Sequence, residues 1–179
     1  MYSELHENPD FEEVKVLCEG AQGFGLDIDW GDYPYVTSSH CTIAGVVQNG
    51  IPHTSIRDVW GVAKMYETYV GAKEFSAQQE PVFENIRILG NEFGSTTGRP
   101  RQISWLSTDM LKTAINVNGV NKIVINKADV LKEAKKWKLF SGIHLYEFDS
   151  SEDMESFITD ELESCGIEFV VFSESPHKI

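Results

Sequence analysis

From Ser107 onward, short apolar runs alternate with capped helical stretches, and this alternation narrows the fold class before any motif is read. Ser107 is an N-cap for a helix through Met110, Leu111, Ala114 and Ile115, with Asn118-Gly119 as its stop. Lys122-Ile123-Val124-Ile125 is the next strand, and residues 144–148 read as another. Ser150 or Ser151 then caps an acidic helix carrying Met154, Phe157, Ile158 and Leu162, which Gly166 closes before a last strand over 167–172. Strand, helix and strand with short connections predict an α/β fold with a mixed or parallel sheet and flanking helices. Upstream, Val14-Lys15-Val16-Leu17-Cys18 reads as a buried strand feeding a Gly-rich turn. Residues 60–70 stay open between two readings. Their apolar positions fit a helix at first, and then Met65, Glu67 and Tyr69 alternate with Tyr66, Thr68 and Val70 as on a strand. At 179 residues, with no repeat, low-complexity tract or clear linker, a single domain over 1–179 is expected.

Fifteen Lys+Arg against 28 Asp+Glu give a net charge of −13, which excludes any general affinity for nucleic acid or an anionic membrane. Cys18, Cys41 and Cys165 are odd in number and irregularly spaced, which favours a reduced, cytoplasmic home. No signal peptide is visible, and no apolar run approaches the ~20 residues a membrane helix needs.

Against that acidity, two stretches about seventy residues apart are suited to an anion. The first is Glu19-Gly20-Ala21-Gln22-Gly23, running through Leu26-Asp27-Ile28-Asp29 to Tyr33-Pro34-Tyr35-Val36-Thr37-Ser38-Ser39. The second is Gly90-Asn91-Glu92-Phe93-Gly94-Ser95-Thr96-Thr97-Gly98-Arg99-Pro100-Arg101. Glycine lets the backbone approach a ligand, hydroxyls and free N–H groups donate, and arginine binds two oxygens at once. A third signal, Asn126-Lys127-Ala128-Asp129, follows the strand at 122–125. A carboxylate there can accept from guanine N1–H and the 2-amino group while the lysine stem covers the ring, and adenine offers no such donor pair. A stand-alone GTPase needs a Gly-rich loop ending in Gly-Lys-Ser/Thr. The nearest sequence, Gly71-Ala72-Lys73, lacks the upstream glycine and the hydroxyl. His6, His40, His53, His144 and His177 show no metal-ligand spacing and no paired carboxylate, so no metal ligand is expected among them. Asp27 and Asp29 are expected to fix a turn.

These motifs, in this order, resemble the adenylosuccinate synthetase family, ligases that join aspartate to the 6-position of a purine nucleotide. The resemblance implies the carboxy-terminal half of a larger, P-loop-like synthetase fold, with the amino-terminal phosphate-loop half absent. By that likeness Gln22, Thr37 and Arg99 would contact the purine monophosphate. Ser95, Thr96, Thr97, Gly98, Arg99 and Arg101 would hold L-aspartate. Arg101, Lys127, Ala128, Asp129, Ser173, Glu174 and Ser175 would meet the triphosphate, Lys127 and Asp129 reading its base. The family's chemistry has two steps, phosphorylation of the purine 6-oxygen and displacement of phosphate by the aspartate amine. It implies Mg²⁺, a general base and a partner histidine, with catalytic and metal-binding residues expected outside this chain. The resemblance also implies a homodimer.

The chain departs from the family pattern at several places. His40-Cys41 stands where asparagine is usual, the stretch after Gly45 differs, and Ser173-Glu174-Ser175-Pro176 carries serine where the family has glycine. These features look more like a compact, phage-encoded branch that acts on dGMP instead of IMP, some members using ATP or dATP in place of GTP. The chain reads as part of a split or truncated enzyme or as a fragment. The alternative is a non-catalytic nucleotide-binding or regulatory half.

Overall fold

Two units make up the chain, Met1–Arg57 and Asp58–Ile179. The structure, a computed structural model, describes residues 16–75, 80–96 and 98–175. Among its described residues the first unit is mostly loop, with 3-10 turns at Phe24–Leu26 and His53–Ser55 and one helix, α1 (Ile43–Gln48). The buried strand expected at its start is not there among the described residues. Val14 and Lys15 lie outside them, and Val16, Leu17 and Cys18 are exposed loop, Leu17 at 89%. A short apolar run does not by itself create a strand; it needs a neighbour to pair with, and none of the described residues pairs with these three.

The second unit runs β1 (Trp60–Lys64), β2 (Tyr66–Tyr69), α2 (Val82–Leu89), β3 (Gln102–Ser107), α3 (Thr108–Asn118), β4 (Lys122–Asn126), α4 (Ala128–Ala134), β5 (Lys138–Ser141), β6 (His144–Glu147), α5 (Ser151–Glu163) and β7 (Phe169–Phe172). β4 lies between β1 and β7 in an all-parallel sheet, with Val62 opposite Val124 and Val124 opposite Val171. Its run of Ile123, Val124 and Ile125 is buried, as expected of the middle strand of a parallel sheet. The second sheet, in the order β2-β3-β5-β6, is mixed: β3 and β5 are parallel and the outer pairs antiparallel. The expected α/β fold with parallel and mixed sheets is therefore present.

The open stretch at 60–70 resolves into two strands, and its helical reading is wrong. The Met65 N–H donates to the Asn126 carbonyl at 2.9 Å, and Met65 itself is fully buried. The chain pairs with β4 before that point and with β3 after it, so the apolar spacing records a change of sheet. The caps were legible. Ser107 Oγ accepts from the Met110 N–H at 3.3 Å, Gly119 ends α3 at φ +61°, and Ser150 Oγ accepts from the Asp153 N–H at 3.1 Å. Around these elements Met65, Tyr66, Ile86, Trp105, Ile115, Leu131, Leu139, Met154, Ile158 and Leu162 form one buried cluster. The helices meet through it, α2 on α4 and both α3 and α4 on α5. Among the described residues no helix is long and apolar enough to cross a membrane, and all three cysteines are free.

Candidate functional site

In the second unit, the segment after α2 folds back on itself. Asn91 sits at φ +51°, and the Glu92 N–H donates to Arg87 O at 2.8 Å. Phe93 bridges Pro100, the Gly94 N–H donates to Arg99 O at 2.8 Å, and the Arg101 N–H donates to Glu92 O at 3.0 Å. The Arg87 guanidinium closes the base of the loop through Nε to Arg101 O at 2.8 Å. Ser95, Thr96, Gly98 and Arg99 are carried exposed at the tip; Thr97 lies outside the described residues.

Beneath that loop is a buried carboxylate. Glu92 is 2% exposed and accepts from Lys64 Nζ at 2.8 and 2.9 Å and from the Tyr66 hydroxyl at 2.9 Å, with Arg101 at 3.4 Å. Burial and the neighbouring Glu92 push the Tyr66 hydroxyl well above its ordinary range, and Asp129 adds to this. Burial pulls the Lys64 ammonium down against the opposing pull of Glu92, and the positive charges of Arg101 and Lys127 add to the downward push. Lys64 and Arg101 thus pair with Glu92, and the charge of Lys127 is felt at Lys64, in a chain of net charge −13.

Lys127 joins the group from β4. It caps α4 in the left-handed conformation, φ +70°, and its Nζ donates to Gly90 O at 2.9 Å. At Gly90 a Cβ would lie 2.3 Å from the Tyr66 hydroxyl oxygen, so a side chain cannot be accommodated beside the network. The C-terminal segment docks on the same turn: the Ser173 N–H donates to Ile125 O at 2.9 Å, and the Ala128 N–H donates to Ser173 O at 3.3 Å. Ser173 Oγ donates to Ser175 O at 2.9 Å, while Glu174 is ion-paired with Lys132. Asp129 is exposed, and Ala128 is buried in the core. The second unit therefore brings together Arg101, Lys127, Asp129 and Ser173 from three separate stretches of sequence. Lys64, Tyr66 and Glu92 were not singled out from the sequence. Glu92 stood inside a quoted motif, but the other two lay in the stretch read ambiguously.

In the first unit, Asp27 is fully buried and organises the first motif, as expected of a turn-forming aspartate. Its Oδ1 accepts from the Asp29 and Trp30 N–H groups at 2.9 and 3.2 Å, and its Oδ2 accepts from Cys41. Burial pushes its carboxyl up, but these N–H groups and nearby His40 outweigh that and hold it below the ordinary aspartate value. One sequence reading is corrected here. His40 does have a carboxylate partner, since its Nδ1 lies 3.2 Å from Asp29. The pairing crosses a loop and could not be read from spacing. A cleft of about 370 Å³ is lined by Glu19, Gly20 and Ala21 from one end of the motif and Ser39 and His40 from the other. Gln22, exposed at φ +66°, and Thr37, whose N–H donates to Leu26 O at 2.8 Å, do not line it.

An α/β fold whose loops gather cations at the ends of parallel strands defines a class of anion- and nucleotide-binding proteins. Within that class, the family model described as adenylosuccinate synthetase matches residues 2–173, and the chain belongs to the adenylosuccinate synthetase family. It is 44% identical over 124 residues to the adenylosuccinate synthetase of Deinococcus radiodurans, covering 65% of this chain and 31% of that protein. With the Cytophaga hutchinsonii enzyme it shares 50% over 118 residues, 65% of this chain and 27% of that protein. The chain thus spans about a third of the length of the curated relatives it matches. Among solved structures, a fully ligated adenylosuccinate synthetase from Plasmodium falciparum superposes with a TM-score of 0.77 at 27% identity, covering 88% of this chain and 47% of that one. The succinoaminodeoxyadenylate synthetase of cyanophage S-2L, bound to dGMP and to dATP as energy donor, has a TM-score of 0.60 at 24% identity over 88% of this chain and 43% of that one, a likeness of fold.

Proposed function

We propose that this chain is the carboxy-terminal part of a purine-nucleotide ligase and supplies its monophosphate, aspartate and donor-base sites. The observation that carries this reading is the convergence of Arg101, Lys127 and Asp129 on one place in the second unit. Arg101 and Lys127 offer positive charge to a triphosphate, and Asp129, exposed in the first turn of α4, offers a carboxylate to the base. The exposed tip with Ser95, Thr96, Gly98 and Arg99 would hold aspartate, while Gln22 and Thr37 in the first unit would bind the monophosphate. In the reaction, a general base takes the purine N1 proton and the terminal phosphoryl group moves to the 6-oxygen as its bond to the donor breaks. The aspartate amine then attacks C6, the C6–O bond breaks, phosphate leaves and the amine gives up its proton. The chain would act in a reducing, cytoplasmic setting, as part of a homodimer.

The two buried carboxylates, Glu92 and Asp27, are not free to hold Mg²⁺. Glu92, the carboxylate among the cations, is taken up by Lys64, Tyr66 and Arg101, and Asp27 is held by backbone N–H groups. An ion carried by the triphosphate would take its protein ligands from the amino-terminal part.

The base reading is tested by titrating GTP, XTP and ATP onto the wild type and Asp129→Asn. Guanine affinity should fall by about 1.5–3 kcal/mol, the usual size for a hydrogen bond to a charged group, with preference moving towards XTP. No change with any of the three would end the idea that Asp129 reads a base. A second reading takes dGMP as acceptor and an adenine donor; the dGMP and dATP bound to the cyanophage relative favour it. A wild type that prefers ATP would support that reading and give Ser175 a part in the pocket.

A further inference from the structure

We propose that Glu92 is a positioning residue, a buried carboxylate neutralised by Lys64 that holds the Arg101 guanidinium in place for a polyphosphate oxygen. This rests on the reading of Arg101 given above. Lys64 Nζ has three N–H groups, and its three contacts are Thr68 Oγ1 at 3.1 Å and the two Glu92 oxygens at 2.8 and 2.9 Å. It has nothing left to give a ligand. Tyr66 adds a fourth contact to the same carboxylate. Arg101 is held differently. Its backbone is clamped on both sides, by Glu92 O and by Arg87 Nε, whereas its guanidinium touches Glu92 through one nitrogen at 3.4 Å. That is long for a charge-assisted hydrogen bond, and the Arg101 Nε–H has no acceptor among the described residues.

The arrangement therefore tethers Arg101 without neutralising it. Removing the Glu92 charge would leave Lys64, Arg101 and Lys127 to repel one another, and the guanidinium would lose its tether. Removing the Lys64 charge would have the opposite effect. Glu92 would be left buried and short of a cation, and would draw Arg101 into a closer, forked pair. Both changes weaken binding of a polyphosphate, one by loosening Arg101 and the other by withdrawing it.

The test uses the full chain with inorganic tripolyphosphate as probe. Two quantities are read: affinity by calorimetry, and the nuclear Overhauser effect of the Arg101 Nε–Hε pair as a measure of its mobility. In Glu92→Gln, Arg101 should become mobile and affinity should fall about tenfold, the scale of one charge-assisted hydrogen bond. Lys64→Met should lose affinity to a similar degree while Arg101 stays rigid. A rigid Arg101 in Glu92→Gln overturns the proposal, as does an unchanged affinity in that variant when Arg101→Ala abolishes binding. If Arg101→Ala binds as well as the wild type, the polyphosphate reading of Arg101 fails, and mobility alone decides whether Glu92 positions it. Should Glu92→Gln fail to fold, the double variant Lys64→Met, Glu92→Gln leaves no lone buried charge, and the same mobility is expected of Arg101.

Discussion

Asp27 shows how much of a loop one side chain can hold. The backbone N–H groups of Asp29, Trp30 and Cys41 all end on it, tying the middle of the first motif to the residues just past its end. Asp27→Asn keeps the shape but turns one acceptor into a donor, so at least one of those N–H groups faces an NH₂. The expected loss is about 2 kcal/mol, read from thermal melts, with faster hydrogen exchange at Trp30 and Cys41. The pH dependence has a definite sign. The folded carboxyl titrates below its unfolded value, so its stabilisation is present at neutral pH and disappears as pH falls through the lowered folded value. Wild type and variant should converge in acid. An Asn variant with unchanged melting and exchange at pH 7 would remove Asp27 from this role.

At the scale of elements, Ser107 ties β3 to both α3 and β2 through two different atoms. Its Oγ accepts from Met110, and its N–H donates to Glu67 of β2 at 3.0 Å. Burial pushes the Glu67 carboxyl up, against the Ser107 N–H and the charge of Lys73. A folded value above the unfolded one contributes stability at low pH that is lost as pH rises through the folded value. Glu67→Gln keeps an acceptor for Ser107 and removes the buried charge, so it should melt higher than wild type at pH 7. The gap should close below about pH 4, where the free glutamate is itself protonated. A lower melting temperature at neutral pH would mean that the Glu67 charge is stabilising. The caps of α3 and α5 were legible because a hydroxyl before a helix and a glycine after it act locally. The switch of sheets at Met65 was not, since it depends on Asn126 being sixty-odd residues away in sequence and adjacent in space. The same holds for Lys64 and Tyr66. Their role arises from Glu92, which periodicity along β1 and β2 cannot reveal.

For the whole molecule, the distribution of charge matters more than its sum. A chain of −13 disfavours a polyphosphate overall, so binding would rest on local cations such as Arg101 and Lys127. These 179 residues contain no Gly-Lys-Ser/Thr loop to cradle the phosphates. With IMP or dGMP, aspartate, GTP and Mg²⁺, the chain alone is therefore expected to form no succinylated nucleotide, and adding the amino-terminal part should restore product. Product from the chain alone would refute this. No product even with the added part would favour a binding half that has lost its chemistry.

The backbone at Lys127 by itself favours glycine, even though the Nζ donates to Gly90 O. At φ +70° a side chain crowds its own backbone, by about 1 kcal/mol, and glycine would not. Lys127→Gly should therefore be more stable than Lys127→Ala by about that amount, the reverse of their order inside an ordinary helix. A library randomised at position 127 makes the conflict visible. Selected only for survival of heat or protease, it should fill with glycine; selected for nucleotide capture, it should keep lysine. The frequency of the two residues after each selection would then measure how far the demands of the ligand and of the fold diverge at one backbone position.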